Sequence, residues 1–98
     1  MKTLHDEFKA KIQEITELSS NVNKNHEEKL LEMMKDHVEE IEELYKEKNE
    51  HWAIETADLA VLCLELLLTE NKDIDDVFTE CLPRFDKKLT QLAKGEST

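Results

Sequence analysis

A chain of 98 residues with one Gly, one Pro and 5% aromatic residues has the composition of a single small helical domain, since sheets and tight turns draw on Gly, Pro and aromatic residues. That excludes an extended parallel-sheet nucleotide fold. The net charge of −11 argues against recognition of a DNA or RNA backbone, which calls for a basic face.

Four helices are expected. In the first, Leu4, Phe8, Ile12, Ile15 and Leu18 step by four and three to give one apolar stripe, ending near Ser19-Ser20-Asn21. Asn25 offers a cap for the second, with Glu28 as its reciprocal partner, and Leu31, Met34, Val38, Ile41 and Tyr45 form its apolar stripe. Asn49 breaks the helix, and a third runs from about residue 50 to 69. From Ala57 to Leu68 every residue of this third helix is apolar except Asp58 and Glu65. A helix apolar on nearly all sides is buried on nearly all sides. The other helices of so short a chain cover only part of it, and a second copy is the natural source of the rest. Asp73 caps a fourth helix carrying Ile74, Val77, Phe78, Cys81, Phe85, Leu89 and Leu92, with a kink or fresh start at Pro83. Residues 95–98 read as a frayed tail. The fold class is all-α: a single domain over 1–98, a four-helix bundle-like protomer completed by homodimerisation or a dimer of dimers.

No apolar run reaches the roughly 18 residues of a membrane span. The N-terminus does not read as a signal peptide, and Cys63 and Cys81 form no C-x-x-C, so both are expected as reduced core thiols in a cytoplasmic protein.

The second helix carries an acidic stripe, Asp36, Glu40, Glu43 and Glu47, whose plain reading is a solvated face. With acids so frequent, Glu39-Glu40-x-x-Glu43 arises by chance about once in such a chain. Glu55 and Asp58 change the balance. They share a face, and Asp58 sits in an apolar run, where an unpaired carboxylate costs several kcal/mol. Residues 27–58 hold twelve acids against Lys29, Lys35, Lys46 and Lys48, so a cation from solution is the simplest partner. A short turn at Asn49 makes the second and third helices antiparallel, with Glu43 level with Glu55 and Glu40 level with Asp58. Four carboxylates without His or Cys suit Mg²⁺ first and Mn²⁺ second.

Other residues carry the blander reading. Glu65 reads as the polar edge of its helix, His51 as a surface residue within reach of the ion or a phosphate, and Trp52 as a staple on the turn. His5, His26 and His37 show no ligand spacing with one another. No Gly-rich loop cradles phosphate.

Glu39-Glu40-Ile41-Glu42-Glu43, followed after eleven residues by Glu55-Thr56-Ala57-Asp58 and an aliphatic run, resembles the MazG-type nucleotide pyrophosphohydrolases of the all-α NTP pyrophosphatase superfamily. The segment Ile74-Asp75-Asp76-Val77-Phe78 is similar to the start of that family's next helix, and the likeness covers about residues 30–92. The resemblance implies Mg²⁺-dependent cleavage of a nucleoside triphosphate between the α and β phosphates, in a dimer or dimer of dimers. It implies Glu40, Glu43, Glu55 and Asp58 as metal ligands and Glu39 as a water-positioning group, with Glu39 or Glu43 accepting a proton. The family's basic segment is replaced here by Arg84, Lys87 and Lys88 after a Pro, the candidates for phosphate contact. The related phosphoribosyl-ATP pyrophosphatases share Glu-x-x-Asp but carry a Gly-containing first motif that is absent. Two alternatives stay open: a non-catalytic acidic helical dimer, and a degenerate member that binds nucleotide or metal without turnover.

Overall fold

A computed structural model describes residues 5–95. They form four helices and no strand: α1 (Asp6–Val22), α2 (His26–Lys46), α3 (Trp52–Thr69) and α4 (Ile74–Ala93). Leu4 and the tail beyond residue 95 lie outside the described residues. No helix among the described residues is long and apolar enough to cross a membrane.

The turns follow from backbone chemistry. α2 ends in a Schellman motif: Lys48 is left-handed at φ 59°, its N–H donates to the Tyr45 carbonyl, and Asn49 N–H donates to Leu44. Asn71, at φ 58°, ends α3 in the same way through Leu68 and Leu67. Asp73 caps α4, its Oδ1 accepting from Asp76 N–H at 2.9 Å. The capping box expected at Asn25 does not form. Asn25 is left-handed at φ 51°, and a capping side chain needs an extended backbone to reach the first-turn N–H groups. α4 is continuous across Pro83 with no fresh start. The residue four before Pro83, Thr79, is exposed, so water can satisfy the carbonyl that loses its helical donor.

α2 and α3 form a closely packed antiparallel pair, and α1 lies against α3. Ile12, Leu64 and Ile74 make the centre of the core, joined by Val61, Leu67, Leu68 and Phe78; Leu30 and Leu62 are also buried. Glu65 is not at a polar edge. It is 3% exposed, and its Oε1 has no hydrogen-bond partner, because α1 crosses this stretch of α3 and Ile12 packs beside it on Leu64. The buried face of α2 overlaps the expected one only in part. His26 and Leu30 are buried and Met33, Met34, His37, Ile41 and Leu44 half-buried, whereas Leu31, Val38 and Tyr45 of the expected stripe are exposed. α2 carries two overlapping apolar sets one residue apart, and α3 takes the one whose histidines it can partner: His26 Nε2 lies 3.1 Å from Thr69 Oγ1.

α4 packs on α3 only through its first turns, where Ile74 is buried and Val77 and Phe78 half-buried. Every residue from Leu82 to Thr90 is exposed. The radius of gyration is accordingly 16.0 Å, against about 13 Å for a compact chain of this size. Lys9 ties α1 to the start of α4 through a 2.6 Å ion pair with Asp75. Cys63 and Cys81 are free and half-buried, and burial pushes the Cys63 thiol up from its ordinary value.

Candidate metal centre

The hairpin between α2 and α3 sets which side chains meet. Trp52 packs edge-on against Tyr45, with ring centroids 5.5 Å apart, and closes the turn as a staple. Asn49 Oδ1 accepts from His51 N–H, which leads the chain into α3. Beyond the turn, Glu55 points back toward α2 and is only 13% exposed. Asp58 follows three residues later on the same helix face, and its side chain is 53% exposed.

What faces these acids on α2 is His37. Its Nε2 lies 3.3 Å from Glu55 Oε2 and 4.0 Å from Asp58 Oδ2. A second imidazole reaches the other oxygen of Glu55, with His51 Nε2 3.2 Å from Oε1. His37, Glu55 and Asp58 form the one group of three His, Cys, Asp or Glu side chains among the described residues whose ligand atoms all lie within 4.8 Å of one another.

On α2, His37 is the side chain whose Nε2 reaches both acids; Glu40, the expected partner of Asp58, lies one turn nearer the hairpin. The connection is centred on Asn49 as expected, with α2 ending at Lys46 and α3 beginning at Trp52. Asp58 is also not sealed in an apolar environment, since the faces carrying Ile54, Ala57 and Ala60 are open to solvent.

The remaining acids are placed by helical rotation. An apolar groove of Val38, Ile41, Tyr45, Thr56 and Leu59 marks one flank of the helix pair. Glu40 and Asp58 lie on the other flank, each about 60° round its helix from His37 and Glu55 respectively. Glu40 is exposed one turn along from His37. Glu43 is rotated about 120° from His37 and lines a shallow acidic groove with Glu39, Glu42 and Lys46. There Lys46 pairs with Glu42 at 2.9 Å, which holds the Glu42 carboxyl below and the Lys46 ammonium above their ordinary values. Arg84, Lys87 and Lys88 lie together on the exposed arm of α4 beside Phe85 and Gln91. None of the three pairs with Glu40, Glu43, Glu55 or Asp58 among the described residues.

The chemistry of this donor set fits a divalent cation. Two carboxylates supply hard oxygen, and the imidazole adds a nitrogen donor acceptable to Mn²⁺ and Zn²⁺. Reading the histidines only against one another overlooked His37. The available signal was its place among Leu30, Met33 and Leu44, a polar side chain on an otherwise apolar face, where a partner is required. No family model, curated protein or solved structure matches the chain.

Proposed function

We propose that the protein is a divalent-metal-dependent nucleoside triphosphate pyrophosphohydrolase, with Mg²⁺ the expected ion and Mn²⁺ the alternative, releasing a nucleoside monophosphate and pyrophosphate. The observation that supports it most is the convergence of Glu55, Asp58 and His37 across the α2–α3 pair. Glu40, on the flank of Asp58, is within a turn of joining them, while Glu43, the fourth proposed ligand, lies in the neighbouring groove. A divalent ion held by these residues would offset phosphate charge and make water more acidic. Glu39 or Glu43 would accept a proton from the attacking water. Arg84, Lys87 and Lys88 contact the substrate phosphates.

The protein acts as a homodimer or a dimer of dimers. Leu82, Phe85, Leu89 and Leu92 step by three and four along α4 and are all largely exposed in one chain, as are Leu31, Val38 and Tyr45 on α2. Two free thiols agree with a reducing, cytoplasmic setting.

The test is pyrophosphate release from a panel of canonical and modified nucleoside triphosphates, with and without EDTA. Glu40→Gln and Asp58→Asn are each expected to lower the rate by about 100-fold or more, since even groups supporting a ligand cost 10–100-fold. Normal hydrolysis by both variants overturns the site. The second reading, a metal-binding helical module without turnover, is favoured by Glu39 and Glu43 lying in a groove separate from Glu55 and Asp58. It predicts metal affinity with no pyrophosphate release.

A further inference from the structure

We infer that His37 is itself a metal ligand, and that with Glu55 and Asp58 it forms a mixed imidazole–carboxylate site selecting a nitrogen-accepting divalent ion, Zn²⁺ or Mn²⁺, over Mg²⁺. This rests on Glu55 and Asp58 being ligands, as proposed above, but not on hydrolysis, and it replaces Mg²⁺ as the ion the site prefers.

The tautomer carries the argument. His37 Nδ1 lies 2.8 Å from the Met33 carbonyl oxygen. A carbonyl only accepts, so Nδ1 bears the hydrogen and donates it. In the neutral ring Nε2 is then a lone pair, and it is aimed at two carboxylate oxygens, which are acceptors too. Three acceptors converging on one point need a cation among them, either a second ring proton or a metal ion. A histidine whose far nitrogen is tied to a backbone carbonyl is the usual arrangement of a metal ligand, because that bond orients the ring and raises its basicity. The spacing suits an ion as well. Ligand atoms around a tetrahedral ion at 2.0–2.2 Å stand about 3.3–3.6 Å apart; the His37–Glu55 separation of 3.3 Å falls in that range, and Asp58, at 4.0 Å, stands just outside it. Low exposure of Glu55 and half exposure of Asp58 leave one side of the site open to water or substrate. Mg²⁺ favours an all-oxygen octahedron, whereas imidazole nitrogen suits transition ions and Zn²⁺.

The experiment is calorimetric titration of the metal-free protein with Zn²⁺, Mn²⁺ and Mg²⁺, alongside ¹⁵N NMR of the imidazole rings with Zn²⁺. Wild type is expected to bind one Zn²⁺ per chain, at least about tenfold tighter than Mg²⁺, with the His37 Nε2 resonance shifting. His37→Gln is expected to weaken Zn²⁺ at least about tenfold while changing Mg²⁺ less than about twofold. Asp58→Asn, at a half-exposed position, weakens both ions and serves if His37→Gln does not fold. The inference is overturned if His37→Gln binds Zn²⁺ as wild type does, if Zn²⁺ is lost with His51→Gln instead, or if wild type prefers Mg²⁺. Pyrophosphate assays separate the two readings. Release with Mg²⁺ together with Zn²⁺ binding that is indifferent to His37→Gln keeps the hydrolase and ends this inference. Zn²⁺ held through His37 with no release under any ion keeps this inference and ends the hydrolase.

Discussion

Glu65 and Glu55 are both acids of α3, yet their surroundings differ in kind. Glu55 has an imidazole on each oxygen, whereas Glu65 has one oxygen sealed from water with no partner. A buried acceptor left unsatisfied costs about 1–3 kcal/mol. Glu65→Leu is therefore expected to stabilise the protein by about that amount, measured as a raised urea midpoint with unchanged slope. A fall in the midpoint would mean that Oε1 finds its partner in the assembled protein. Glu55 and Asp58 could be read from the sequence because their three-residue spacing fixes a shared face whatever packs on it. The environment of Glu65 could not, because burial at that position depends on where α1 crosses.

Of the expected caps, Asp73 holds its helix, whereas Asn25 makes no side-chain cap bond and His51, not Asn49, stands at the N-cap of α3. Asp73 has the extended backbone that a capping side chain needs, and Asp73→Ala is expected to lower stability by about 1 kcal/mol, read from denaturant unfolding. Asn25→Ala removes no cap bond, because the Asn25 side chain makes none. The cap at Asp73, the break at Asn49 and the helix type of all four segments were visible in local pattern alone. The face that each helix buries was less so. On α2, the sets ending in Leu44 and Tyr45 are both apolar and lie one residue apart, so periodicity cannot rank them. The pairing of His26 with Thr69 and of His37 with Glu55 distinguishes them, and such pairing belongs to two elements at once.

At the scale of the whole chain, the open arm of α4 and the ion pair at its base make the two sharpest predictions. Phe85 and Leu89 are 62% and 61% exposed on that arm. If they pack against a second copy, wild type sediments as a dimer or larger, and Phe85→Glu with Leu89→Glu shifts it toward monomer. A wild-type monomer across the micromolar range would remove the dimer. At the base, Lys9 is held above its ordinary value of 10.5, first by its hydrogen bond to Asp75. Because the folded value is raised, the contribution is complete below the unfolded value and is lost as pH rises past 10.5 through the folded one. Thermal melts should show wild type losing more stability than Lys9→Met between pH 10 and pH 12; equal losses would mean that the pair contributes nothing to the fold.

Composition, caps and periodicity by themselves determined an all-helical chain, its four segments and the Glu55–Asp58 pair, because each depends on residues within a turn or two of one another. Only the packing decided that His37 reaches Glu55 and Asp58, that Glu65 is buried and that α4 stands away from the rest. Those outcomes turn on which faces of neighbouring helices meet, and that is settled by contacts between residues far apart along the chain.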